Sequence, residues 1–274
     1  MLFRKGILFF TLIATYGAGM FLVLGSQEMD PANEFSLEPI GESFAVVELF
    51  TSEGCYSCPP ADRLVSQIID KANESGQRIF PLSFHVDYWD YLGWKDAYSS
   101  AAFSERQRRY AFTWRSNRVY TPQMVINGEH EFVGSNAAKA QQYITEALEG
   151  DAQLKIDLAP ILDQKNNSIQ VDAILSDMKN DLVLNFAIVE RDLVREIARG
   201  ENGGKTLHHD NVVRSFVTTK ARDYKVGTEL RYPKDVKLDN ASLIVYAQDS
   251  KSMKVYGAAA YDFVPKSLSQ ASGE

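Results

Sequence analysis

The chain has 274 residues, enough for one large domain or two ordinary ones. Hydrophobic residues make up 45% and charged residues 24%, a mix that excludes wholesale disorder, and a net charge of −7 argues against a nucleic-acid binder. Only two cysteines occur, which excludes both a disulfide-stapled miniature and a multi-cysteine zinc fold.

Arg4 and Lys5 precede an uncharged stretch from Gly6 to Gly25 that is rich in Leu, Ile and Phe. A basic flank followed by an apolar run is the pattern of an export signal, and the small Val23 and Gly25 suit cleavage after Gly25. About 20 apolar residues also reach across a bilayer, so residues 1–25 read as a signal peptide or as an uncleaved N-terminal membrane anchor. Both readings put the remainder outside the cytoplasm, periplasmic or secreted. Two thiols in such a compartment either pair structurally or do redox chemistry.

Residues 26–43, with Pro31, Pro39 and several acids, form an extended lead-in. Ala45–Thr51 is a short apolar strand, and Ala61–Ala72 spaces Leu64, Ile68 and Ile69 as a helix does. Ile79–Val86 suits a strand buried on both faces. Ala101–Arg115 reads as a basic, aromatic helix whose Arg106, Arg108 and Arg109 form a solvated face. Gln123–Ile126 and Glu131–Val133 flank Asn127-Gly128, a hairpin signal because both positions tolerate positive φ. Ser135 or Asn136 then caps a helix running to about Leu148, with Gly150 closing it.

After Gly150 the rhythm changes. Leu154–Leu162, Ser168–Leu175, Leu182–Val189, Ser242–Gln248 and Val255–Phe263 are short alternating or apolar runs separated by Asn, Asp, Lys and Gly. They predict a mostly antiparallel sheet or sandwich. The chain is thus read as an α/β domain over 44–150 with a helical insertion near 88–118, a β-rich domain over 151–265, and a loose polar tail over 266–274.

Cys55 and Cys58 fall between the first predicted strand and the first predicted helix. That placement brings both sulfurs to the carboxyl end of the strand, with Cys55 near the helix amino terminus, where the macrodipole and free N–H groups favour a thiolate. Pro59 and Pro60 fit the helix's first turn. By itself a Cys-x-x-Cys pair is equally a structural disulfide or half a metal site.

The strand Val46–Phe50, the cysteine pair, and Thr121-Pro122 ahead of the hairpin resemble the thioredoxin superfamily. More narrowly, the chain resembles an exported thioredoxin-like family known as a domain of unknown function. The motifs that carry this are Phe50–Cys55, Pro59–Asp62, Phe84–Asp96, Val119–Met124 and Glu201–Arg214. The resemblance implies a thioredoxin-like fold and a cis peptide before Pro122 packed against the cysteines. It also implies that Glu48 moves the proton of the second thiol, although Glu48 stands seven residues before Cys55, one more than in typical thioredoxins. It supplies no substrate.

The leading expectation is a thiol–disulfide oxidoreductase in which an exposed Cys55 attacks and a buried Cys58 resolves. Thr121, Pro122, Tyr88 and Trp89 would line the substrate side. Its partners would be exported protein thiols or disulfides and a membrane or periplasmic redox protein, with no cofactor. An alternative is a copper carrier using Cys55, Cys58 and His85, since soft thiolates suit Cu(I). Another is a binding module with a permanent disulfide. Glu201–Arg214 reads as an inter-domain contact or a ligand loop.

Overall fold

The computed structural model describes residues 43–263. The signal or anchor at 1–25, the lead-in up to residue 42 and the tail at 266–274 lie outside the described residues. Among the described residues no helix is long and apolar enough to cross a membrane.

β1 (Ala45–Thr51) is buried along its whole length because it is an inner strand. It pairs in parallel with β2 (Ile79–His85), Ala45 opposite Ile79 and Thr51 opposite His85, and antiparallel with β3 (Gln123–Ile126). Strand alternation sends its side chains to two layers. Ala45, Val47 and Leu49 pack with Ala61, Val65 and Ile68 of α1 (Pro59–Ser75). Val46 and Phe50 pack with Phe84, Phe103 and Tyr110, the last two from α2 (Ala101–Thr113).

Each helix begins where the sequence supplies a terminus. Cys58 is the residue before α1, and Pro59 and Pro60 fill its first two positions, where a missing N–H costs nothing. Gly76, at φ 68°, ends the helix in the left-handed conformation. Ser100 Oγ accepts from the Ala102 amide at the start of α2. The β3–β4 hairpin (β4, His130–Val133) turns through Asn127 and Gly128, both at positive φ. Asn136 Oδ1 then accepts from the Lys139 amide to open α3 (Ala137–Glu149).

The rest of the chain is strand: β5 (Ile156–Asp163), β6 (Ser168–Leu175), β7 (Leu182–Glu190), β8 (Leu193–Glu196), β9 (Thr206–His209), β10 (Val212–Lys220), β11 (Lys225–Arg231), β12 (Ala241–Asp249) and β13 (Val255–Asp262). Eight strands form one mixed sheet in the order β13-β12-β7-β10-β2-β1-β3-β4, and β11-β6-β5 form a second sheet. Ile169, Val171 and Leu230 of the second sheet share a core with Leu184, Phe186 and Ile188 of β7 and with Leu243 and Val245 of β12. β8 and β9 make a separate two-stranded ribbon.

The change of rhythm after Gly150 marks the antiparallel half of the large sheet. It does not divide that sheet, because β10 joins β2 in parallel at Val212 and Ser83. The junction is held by Ser83 N donating to Asn211 O at 2.8 Å and by Asn211 Nδ2 donating to Pro81 O at 2.8 Å. Four elements, β8 to β11, were not among the predicted strands. The fold is mixed α/β, dominated by a large mixed sheet with three α-helices among the described residues.

Candidate functional site at the cysteine pair

Cys55 and Cys58 are disulfide-bonded, with Cα atoms 5.4 Å apart. The turn that joins them is closed by Cys58 N donating to Cys55 O at 3.2 Å, and Ser57 Oγ stands 3.4 Å from Cys55 Sγ. The Thr121–Pro122 peptide is cis. Gly134, whose amide donates to Pro122 O at 2.9 Å, marks how closely this segment approaches α1. A Cβ there would stand 2.7 Å from Leu49 Cδ1, 3.2 Å from Pro122 Cβ and 3.3 Å from Ala61 Cβ.

The exposed Cys55 expected from the sequence is not what the structure has. Cys55 is 1% exposed and Cys58 0%; of the four-residue motif only Tyr56 and Ser57 reach solvent. The cause is the loop between β8 and β9, folded back over the motif. Asn202 Nδ2 donates to Glu53 O at 2.8 Å and to Cys55 O at 3.0 Å. Tyr56 N donates to Glu201 Oε2 at 3.0 Å. Lys205 Nζ lies 4.3 Å from the Tyr56 ring centroid, within cation–π range. Part of the segment Glu201–Arg214 is therefore a cap on the cysteine loop.

Glu48 has a different neighbourhood from the one the resemblance implies. Strand parity turns it away from α1, into the layer under α2. There Arg106 donates to both of its carboxylate oxygens at 2.7 Å, and Tyr110 OH donates at 2.8 Å. Burial alone would lower the Arg106 pKa, but the Glu48 charge outweighs it and the guanidinium is held well above its ordinary value. Arg106, 5% exposed, leaves the solvated face that the sequence assigned to it; Arg108 stays at the surface.

Two buried acids, Glu53 and Asp62, flank the cysteines in sequence and belong to one cluster. Glu53 accepts from Trp94 Nε1 at 2.7 Å and from Arg195 Nε at 3.3 Å. Asp62 accepts from Thr51 Oγ1 at 2.7 Å. His209 sits between them, Nε2 3.7 Å from Glu53 and Nδ1 3.8 Å from Asp62. Its ring centroid is 4.9 Å from that of His85, whose Nδ1 pairs with Asp96 Oδ2 at 2.7 Å. Burial pushes the His85 pKa down, but the Asp96 charge and hydrogen bond outweigh it, so the net shift is upward. Burial raises Asp96, yet His85 and the amides of Glu53 and Tyr98 overcome it and hold that carboxyl at about 2.

Trp89 bridges the two halves of the site. Its Nε1 donates to Thr121 Oγ1 at 2.7 Å, and its Cβ lies 3.1 Å from where a Cβ on Gly54 would stand. Tyr88 turns toward α2, donating to Gln107 Oε1 at 3.0 Å. Cys55, Cys58 and His85 are not brought together as ligands: the sulfurs are bonded to each other and His85 to Asp96. Among the described residues no group of three His, Cys, Asp or Glu is placed to hold a metal ion.

Fold and site together define a mixed α/β protein with a Cys-x-x-Cys disulfide at a strand-to-helix junction. The chain belongs to the family described as Protein of unknown function (DUF1223), whose model matches residues 46–248. It is similar to a structural-genomics crystal structure of an Agrobacterium tumefaciens protein, with 25% identity, a TM-score of 0.61, and coverage of 82% of this chain and 97% of that one. A domain of the outer membrane lipoprotein Omp28 from Porphyromonas gingivalis matches 40% of this chain and 88% of its own length at 11% identity. Its TM-score of 0.28 is too low to carry an argument. No curated protein matches the chain.

Proposed function

We propose that the protein is a thioredoxin-like thiol–disulfide oxidoreductase working outside the cytoplasm on protein or small-molecule disulfides. The observation that carries this reading is a disulfide-bonded Cys55–Cys58 pair at the start of α1. A helix amino terminus stabilises a thiolate, and an unperturbed thiol, with a pKa of about 8.5, needs such help to react near neutrality. Glu53, two residues before Cys55, works against that activation, and Arg195 at 3.3 Å offsets its charge. Cys55 is the nucleophile and Cys58 resolves the mixed disulfide. The partners are exported thiols and a membrane or periplasmic redox protein, reached when the β8–β9 loop moves off the motif.

A second reading has one observation in its favour. Both sulfurs are covered, which suits a permanent disulfide in a binding module. Equilibration with glutathione separates the two, because structural disulfides have potentials below about −300 mV. The oxidoreductase reading expects a higher potential, and it expects Cys58→Ser to trap mixed disulfides with exported partners through Cys55 while Cys55→Ser traps none. A pair that stays oxidised under strong reductant, with no trapping by either variant, rejects it.

A further inference from the structure

The inner face of α1 is apolar except at one position. Ala61, Val65, Ile68, Ile69 and Ala72 are its buried residues, together with Asp62, which is 5% exposed. Cys58 has helical backbone angles, and the Asp62 amide donates to Cys58 O at 3.1 Å. The two residues are thus one helical turn apart, the spacing at which side chains are neighbours, about 5–6 Å between Cβ atoms. A buried carboxyl with no lysine or arginine against it is costly unless it carries a proton or serves a reaction.

We propose that Asp62 is the proton partner of Cys58. The inference rests on the oxidoreductase reading above. In the forward step a substrate thiolate attacks Cys55 Sγ, and the Cys55–Cys58 bond breaks with its electron pair going to Cys58 Sγ. The neutral Asp62 carboxyl gives that sulfur its proton and is left as a carboxylate. In the reverse step the carboxylate takes the proton back as Cys58 Sγ attacks the mixed disulfide at Cys55 and expels the substrate thiolate.

The surroundings suit a carboxyl that changes charge. Thr51 Oγ1 donates to Oδ1, and Oδ2 faces His209 Nδ1 at 3.8 Å, beyond hydrogen-bond length. Both ring nitrogens of the buried His209 lack a hydrogen-bond partner. The other groups facing this space are Glu53 from the segment after β1, His85 from β2, Asp96 and Tyr98 from the segment before α2, and Arg195 from β8. Burial raises the Asp62 pKa, against the opposing pull of His209, His85 and the Thr51 hydrogen bond.

The test is the rate of reduction of the full chain by dithiothreitol from pH 5 to pH 9, per unit of dithiothreitol thiolate, in wild type and Asp62→Asn. Wild type is expected to show an inflection, faster on its acid side. Asp62→Asn is expected to lose the inflection and to be slower on that side by on the order of 10²-fold, meeting wild type at high pH, where Asp62 has no proton to give. A profile identical to wild type overturns the proposal, and so does a slowing that is uniform at all pH, the mark of a structural role. Should Asp62→Asn fail to fold, Thr51→Val replaces it. Losing the Thr51 hydrogen bond moves the wild-type inflection to higher pH, and an inflection that stays in place overturns the proposal. A wild-type pair that resists dithiothreitol throughout sinks the oxidoreductase reading and this inference together, whereas reactive wild type with an unchanged Asp62→Asn sinks this inference alone.

Discussion

Asn202 and Cys55, separated by 147 positions, are joined by a hydrogen bond of 3.0 Å from Asn202 Nδ2 to the Cys55 carbonyl oxygen. The same nitrogen reaches Glu53 O at 2.8 Å, and Lys205 holds Asn202 Oδ1 at 2.9 Å. One fully buried amide therefore ties the β8–β9 loop to the backbone of the cysteine loop.

Asn202→Ala should loosen that cap. It takes the Asn202 donor from the Glu53 carbonyl oxygen and one of two donors from Cys55 O, which keeps Cys58 N, and an unsatisfied buried group costs about 1–3 kcal/mol. The expected result is a modest fall in Tm and faster alkylation of the dithiothreitol-reduced cysteines by iodoacetamide. Alkylation as slow as in wild type would show that other contacts keep the loop closed.

Glu48 and Arg106 should matter for stability and not for redox chemistry. Both are buried and joined by two hydrogen bonds of 2.7 Å. Removing one partner strands a buried charge, at a cost of about 3–5 kcal/mol, whereas replacing both by apolar groups of similar size is often neutral. Glu48→Gln should thus unfold at clearly lower urea, and Glu48→Leu with Arg106→Met should recover most of the loss. Should Glu48→Gln instead change the pH profile of thiol exchange while its Tm stays put, the acid on β1 has a proton-transfer role after all.

The local signals in the sequence were readable because they are short-range. Pro59-Pro60 and Gly76 bound α1, Asn127-Gly128 turns the hairpin, and Asn136 caps α3. The pairing of β10 with β2 was not readable, since it rests on contacts such as Asn211 to Pro81 O, 130 positions apart. The burial of Cys55 has the same origin, because the covering loop comes from residues 201–205. Arg106 was misplaced because a basic helix face is normally solvated; its partners Glu48, Tyr246 and Gln248 come from distant strands. Strand alternation, applied to β1, could have placed Glu48 and Leu49 on opposite faces, and Leu49 packs against α1.

The His85–Asp96 pair makes stability depend on pH from both sides. The His85 pKa lies above 6.5 in the folded protein, so its contribution is full below pH 6.5 and is lost as the pH rises through the folded value. Asp96 falls from 3.8 to about 2, so its contribution is full above pH 3.8 and is lost as the pH falls from there toward about 2. Asp62, raised by burial, adds a loss in the same direction as the pH rises, beginning above pH 3.8. Urea unfolding should therefore show wild type weakening above pH 6.5, with the advantage over His85→Gln shrinking as the pH rises. A constant difference between the two from pH 5 to pH 9 would mean that folding does not shift the His85 pKa.

Gly134 is where β1, the cis-proline segment and α1 converge, and Gly134→Ala measures how tightly they are packed. Its φ is not in the left-handed range, so an alanine meets no backbone strain, and stiffening the unfolded chain favours it by about 0.4–1 kcal/mol. Against that, the new methyl stands 2.7 Å from Leu49 Cδ1, with Pro122 Cβ at 3.2 Å and Ala61 Cβ at 3.3 Å. Overpacking of this kind costs about 1–3 kcal/mol, so the net effect is destabilising. The end of the Leu49 side chain is the part that can yield, while Pro122 and Ala61 are fixed by their backbones. Leu49→Ala alone leaves a cavity, at about 2–5 kcal/mol; in the double variant the two changes relieve each other. The double variant should be more stable than the sum of the single effects by more than about 0.5 kcal/mol, the limit expected for independent sites. Simple additivity would place the Gly134 methyl elsewhere than against Leu49.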